Sequence, residues 1–193
     1  MSDSQGIPAT DFSSVPPLEV VRLGHPVLRS VAESVPDEWF GSGRLADFAR
    51  DLVHTMLTSD GVGLAAPQVA EPLRLFAYWV PSLGDEPETP PNVLVNPELR
   101  AIGEETEEGW EGCLSIPGLR GLVPRHYRIK VKARSVDGEQ VSFTADSFHA
   151  RVIQHEHDHL DGIVFLDRMT SVRSLAFEEE WDRYVLSEEQ DDD

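Results

Sequence analysis

The stretch Gln154-His155-Glu156-His157-Asp158-His159-Leu160-Asp161-Gly162 decides how this chain is read. As a helix it sets His155 and His159 at i and i+4, one above the other on a single face. Two imidazoles stacked that way can grip one divalent metal. Glu156, next to the first of them, can lean toward a metal-polarised water and take its proton. The plain competitor is a pair of surface histidines on a polar helix. Phe148, Val152, His155, Glu156 and His159 share one side, and Arg151, Gln154, Asp158 and Asp161 make a polar side. His157 falls on a third stripe with Ile153 and Leu160, and His149 starts off the ligand face, so neither is expected as a ligand. Asp146 or Ser147 would cap the helix and Gly162 would end it.

A second motif offers a third ligand. In Glu111-Gly112-Cys113-Leu114-Ser115-Ile116-Pro117 stands the single cysteine of the chain. A lone cysteine is by default a small buried hydrophobe. Beside a two-histidine helix Cys113 becomes a candidate thiolate, and Cys with two His leaves the fourth tetrahedral position open, as catalytic sites do. A third stretch, Gly61-Val62-Gly63-Leu64-Ala65-Ala66-Pro67-Gln68, has glycines and small residues that let backbone approach a ligand closely. No lysine follows and the Gly-x-Gly-x-x-Gly spacing is missing, which excludes a nucleotide loop. Gln68 is a neutral donor that could face an oxyanion, or simply a turn residue.

Composition bounds the answer. The 193 residues, 40% of them hydrophobic, suit one soluble domain with a real core. No apolar run approaches the roughly 18 residues of a membrane span. Met1 to Gln5 carry neither a basic nor an apolar signal region, so no secretory leader is expected. One cysteine excludes an internal disulfide and fits a reducing cytoplasm. A formal charge of −19 argues against DNA and against anionic membranes as partners.

In chain order, residues 1–17 read as a flexible polar arm, and His25, before a proline, as structural or exposed. Residues 42–59 have a helical stripe of Leu45, Phe48, Ala49, Leu52, Val53, Met56 and Leu57, with His54 off it and solvated. Ser42 or its glycine neighbours could cap this helix. Residues 73–80 and 93–95 read as strands, 81–91 as a surface loop, and 104–108 as a solvated edge or hairpin tip. One strand is expected over 123–136, turning at Asp137-Gly138 into a partner over 140–145. A last helix is expected over 174–186, before an acidic tail.

Together these three motifs resemble the peptide deformylase family, and the resemblance spans about residues 20–168. It implies an α+β fold with antiparallel strands packed around a central metal-binding helix and one long N-terminal helix. The catalytic domain would cover 18–172, and 173–193 would be a C-terminal helix and acidic tail. The implied reaction is removal of the formyl group from N-formylmethionine on nascent polypeptides. Cys113, His155 and His159 would hold one divalent metal per chain, Fe(II) first, with Zn, Ni or Co as substitutes. Glu156 would be the base, with Gln68 and the Leu114 N–H stabilising the oxyanion. Gly63 would pair with substrate backbone. Val62, Phe148, Val152 and the His155 ring would line the methionine pocket, and Gly61, Gly63 and, at the rim, Arg151 would belong to the wider substrate pocket. Glu111 and Arg120 would support the site as charged, paired positions. Arg151 departs from an apolar family position, with either its stem in the pocket or its charge in solvent. The acidic tail would not anchor the chain to ribosomal RNA; capture of nascent chains would rely on diffusion, or on transient ribosome contact through basic residues such as Arg125, Arg128, Lys130, Lys132 and Arg134, the last four sharing one strand face.

Two rivals remain. A gluzincin-type zinc protease would replace Cys113 with a downstream glutamate such as Glu178. A deformylase-like scaffold would bind peptides without turnover.

Overall fold

The computed structural model describes residues 16–82 and 88–186. The arm through residue 15, residues 83–87 of the expected loop, and the tail from residue 187 lie outside the described residues. Helices and antiparallel strands are mixed in two sheets. The first has five strands in the order β1 (Gly63–Ala65), β2 (Leu75–Val80), β3 (Thr89–Ala101), β6 (Arg128–Arg134), β7 (Gln140–Asp146). The second has three, β4 (Thr106–Cys113), β5 (Ile116–His126) and β8 (Ala176–Phe177).

Helix α1 (Gly43–Thr58) packs on β1, β2 and β3 through Leu45, Ala49, Leu52, Val53 and Met56. Phe48 is half-buried and Leu57 is exposed, so the stripe is narrower than its period suggests. His54, read as solvated, is 6% exposed and belongs to the interior face. Ser42 occupies the cap position, but its hydroxyl donates to the Trp39 carbonyl instead of accepting from the helix. Past the end, Asp60 takes the left-handed conformation (φ 54°) and Gly61 N–H reaches back to the Met56 carbonyl. His25 caps a short 3-10 turn, accepting from the Val27 N–H.

The expected strand over 123–136 is two strands. β5 ends at His126, β6 starts at Arg128, and the chain changes sheet at Tyr127. Val123, Arg125, Ile129, Val131 and Ala133 are all buried. The two-residue period keeps its phase across the change, which hides the break from a pattern reading. Arg125 is therefore buried, not part of a basic surface. Arg128, Lys130 and Lys132 are exposed on one face of β6, as expected. The hairpin after β6 carries Gly138 at φ 90°, inside a longer turn in which Gly138 N–H meets the Ser135 carbonyl. β3 already begins at Thr89, so the loop is shorter than expected. The acidic stretch runs into β4, a strand that the charge pattern concealed.

Residues 176–177 pair with Leu119 and Arg120 of β5, which overturns the expected helix start at residue 174. After the short helix α3 (Phe165–Arg168), α-helical backbone resumes with α4 (Glu178–Trp181) and continues in a wider turn, Asp182–Leu186.

Helix α2 (Ser147–Leu160) touches strands of both sheets. Asp146 stands at its cap position but pairs with Arg128 instead. The end of α2 is pinned from several directions. Leu160 O accepts from Ala32 N–H and from the Arg74 guanidinium, and Ile163 N–H closes on Asp158 O. Gly162 sits at φ 72°, and a Cβ there would stand 2.8 Å from the Arg29 carbonyl carbon and 3.0 Å from the Ser30 nitrogen. Gly162→Ala should cost on the order of 1–3 kcal/mol, from left-handed strain and this backbone contact. Urea unfolding of the variant beside the parent measures that loss.

Candidate active site

Cys113 reaches the centre because of how its hairpin is built. β4 and β5 pair in step from Thr106↔His126 to Gly112↔Arg120, then slip, so that Cys113 lies opposite Ile116 across the two-residue turn Leu114–Ser115. The slip turns Cys113 toward α2. Its Sγ lies 3.4 Å from His159 Nε2, and ligand atoms of Cys113, His155 and His159 fall within 4.8 Å of one another. The two imidazoles are 5.1 Å apart and nearly perpendicular. His157 is elsewhere, beside Arg74 and Asp161. His149 stacks between Tyr78 and Phe143. Glu178, the third ligand that a gluzincin would need, is bonded to Arg120 and lies outside the ligand group.

Behind His155 stands Glu111. Its Oε2 meets His155 Nδ1 at 2.8 Å, leaving Nε2 available to a metal, an arrangement in which a carboxylate can orient a metal-binding imidazole. Glu111 also accepts two bonds from Arg125 and one from Arg151, each at 2.9 Å. Arg125 continues to Asp158, which Arg168 grips with two bonds. Arg120 is not the partner of Glu111, contrary to expectation. Arg151 resolves the open question of its direction. It is 8% exposed, and its guanidinium donates to the carbonyls of Glu107, Gly109 and Val123 as well as to Glu111. Gly109 makes room, since a Cβ there would lie 2.7 Å from the Arg151 guanidinium carbon. Gln154, before His155, ties α2 to β5 with a pair of amide bonds to the backbone of His126.

Glu156 is 4% exposed, and its Oε2 has no partner among the described residues. Burial pushes its pKa up to about 7, against the pull of His155 and His159. A carboxyl poised there can accept and return a proton near neutral pH. Burial would raise the Cys113 thiol, yet His159 and His155 hold it down at about 5, so the sulfur is a thiolate at pH 7. Burial also opposes the charge of Glu111, but the bonds from Arg125 and His155 keep its pKa well below the carboxylate range. A thiolate, two imidazoles and an unbonded carboxylate oxygen fit a divalent ion better than any internal hydrogen-bond scheme.

Of these groups Cys113, His155 and Glu156 line a cleft of about 540 Å³, and His159 lies buried behind it. Gly61, Val62, Gly63, Gln68, Glu111, Cys113, Leu114, Arg120, Phe148, Arg151, Val152, His155 and Glu156 all border it. Gln68 is 1% exposed and is fixed by Ala65 N–H on its oxygen. Its nitrogen lies 3.4 Å from Cys113 Sγ and 3.2 Å from Ser115 Oγ. Gly63 is required to be small, because a Cβ would stand 2.5 Å from the Glu156 carboxylate carbon. The sequence reading missed Asp60, Trp110, the wall around Leu119, and Glu178. It also missed Arg125 and Asp158 as inner residues. Val123 and Arg125, two apart on one strand, carried the signal that Arg125 faces inward.

The class that fold and site define is a hydrolase built on a Cys/His/His group with an adjacent carboxylate base. The family model for polypeptide deformylase matches residues 17–174, and the chain belongs to that family. Peptide deformylase 1 of Prochlorococcus marinus is 43% identical over 163 residues, covering 82% of this chain and 84% of that protein. Peptide deformylase 2 of a Nostoc species is 41% identical over 171 residues, covering 87% and 94%. The Met-Ala-Ser-bound class I type b peptide deformylase of Acinetobacter baumannii superposes with a TM-score of 0.76 at 39% identity, over 80% of this chain and 99% of that one. The Thermotoga maritima peptide deformylase gives 0.72 at 37%, over 81% and 99%.

Glu111→Ala should leave two buried guanidiniums short of an acceptor and destabilise the fold by about 3–5 kcal/mol. Guanidinium unfolding measures this, and dialysis against chelator should show metal affinity falling roughly 10–100-fold.

Proposed function

We propose that this chain removes the formyl group from the N-formylmethionine of peptides and nascent chains, and that the three motifs divide the work. The observation that carries the reading is the buried Glu156 carboxyl beside the Cys113, His155 and His159 group. When bound, the metal supplies Lewis acidity and lowers the pKa of water to about 7. Glu156 takes the proton of the attacking water and returns it to the departing amine nitrogen, so formate and a free N-terminus leave together. The Leu114 N–H and the Gln68 amide donate to the oxygen that gains charge. The Gly63 backbone pairs with the main chain of the substrate. Phe148, Val152, Val62 and the His155 ring receive the methionine, with Arg151 closing the far wall through its stem.

Glu111 acts by holding His155 in one tautomer. The helix carrying both histidines is the central element of the fold, and the domain proper covers residues 18–172. Fe(II) is the metal proposed, with Zn, Ni or Co able to take its place. The lone thiolate fits a reducing cytoplasm. Transient ribosome contact would use the exposed cations of β6, Arg128, Lys130 and Lys132.

Turnover of formyl-Met-Ala-Ser by the metal-loaded protein tests the reading, and absence of formate release overturns it, in favour of a peptide-binding scaffold. Glu156→Ala should retain metal while losing about 10²–10⁴ in rate. Metal analysis beside kinetics checks both halves. The ferrous form should lose activity in air through iron and thiolate oxidation, while the nickel form endures. Parallel assays at equal metal occupancy, over hours in air, compare them.

A further inference from the structure

The cleft has charged groups that the hydrolysis itself does not use. Its exposed lining residues mark where it opens to solvent: Asp60 on one lip, Pro117 and Gly118 on the other. Beside the second lip stands Arg120, whose Nε and Nη2 both donate to Glu178 Oε1, at 2.9 and 2.6 Å. Both bonds fall on one oxygen. Glu178 Oε2 has no partner among the described residues, and the side chain is 44% exposed.

The pair is held in place from behind. Pairing of Arg120 with Ala176 brings the start of α4 to the cleft. The Trp181 ring lies 4.6 Å from the Arg120 guanidinium and packs edge-on against Trp110, itself a cleft residue. Thus Glu178 is part of the substrate wall, although it is remote in sequence from all three motifs.

The charges at this mouth do not cancel. Arg120 is spent on Glu178, and Arg151 is buried against Glu111 and backbone carbonyls. Asp60 has no cationic partner among the described residues. Two acids, Asp60 and Glu178, and one base, Arg120, line this mouth, in a chain of formal charge −19.

We propose that Glu178, by neutralising Arg120, sets the charge preference of the cleft, so that formyl-methionyl peptides with a basic residue downstream are favoured over acidic ones. This rests on the deformylase reading above. Exposed charge pairs of this kind alter rates by roughly twofold to fivefold.

The test uses three amidated substrates, formyl-Met-Ala-Ser, formyl-Met-Ala-Lys and formyl-Met-Ala-Glu, with the metal-loaded full chain. The parent should show a Lys-to-Glu ratio of kcat/KM above one at low salt. The ratio should shrink toward one at about 1 M ionic strength, where screening acts within about 3 Å. E178Q leaves Arg120 uncompensated and should lower the ratio or invert it, while R120Q should raise it. A merely structural role would change all three substrates by one factor and leave the ratio fixed, which overturns the proposal. So does a parent ratio near one that salt does not move, a result that needs no variant to fold. Failure of the parent on formyl-Met-Ala-Ser as well would instead bring down the deformylase reading.

Discussion

One buried carboxylate sets the terms for the rest of the molecule. Glu111 accepts from Arg125, Arg151 and His155, and each donor comes from a different place along β5 or α2. Withdrawing a carboxylate from water costs several kcal/mol, and only near-complete pairing offsets it. The energetic return is small, but the geometric one is large. A carboxylate with every acceptor position claimed cannot tolerate β4, β5 and α2 drifting apart. His155 therefore cannot rotate unless that whole set moves. Arg151 extends the restraint into the backbone, since its donors satisfy carbonyls of both β4 and β5.

Glu156 is governed by the opposite logic. Its neighbour on the same helix, His155, is held at Nδ1 by Glu111, while its own Oε2 is bonded to nothing among the described residues. A buried polar atom left this way carries a cost of about 1–3 kcal/mol. Gly63 shows that the crowding is built in, because any side chain there would occupy the space of the carboxylate. Stability has been given up at the group proposed to carry the proton.

The candidate ligands and the proposed base were legible because their signals are local. An i, i+4 histidine pair with its adjacent glutamate needs no knowledge of the rest of the fold. The core face of α1 was legible for the same reason, apart from Leu57 and His54 at its margins. What stayed hidden was decided by pairing at a distance. β4 reads as an acidic stretch because Thr106, Glu107 and Glu108 face solvent, and its role follows only from the register with β5. Arg125 looks like a surface cation until Asp158 and Glu111 are seen to converge on it. The strand at residues 176–177 is too short for any period, and exists because β5 offers it an edge. That edge also explains why Glu178 could be weighed as a ligand in the sequence and yet belongs to the rim.

The segment leading from residue 18 to residue 23 ties together parts that are far apart in the chain. Leu18 N–H meets Thr55 Oγ1, Val21 N–H meets the Gln68 carbonyl, and Leu23 N–H meets the Ser115 carbonyl. During synthesis this early segment can meet Thr55 and Gln68 first, but its last bond waits until residue 115 has left the exit tunnel. Closing loops of that length is slow compared with forming a helix, so the strap docks late. The two loops that flank the thiolate, at Gln68 and Ser115, are not braced together until then. A nascent copy of this enzyme thus gains the brace between its two cleft-side supports only once residues 18–23 have closed over chain made some ninety residues later.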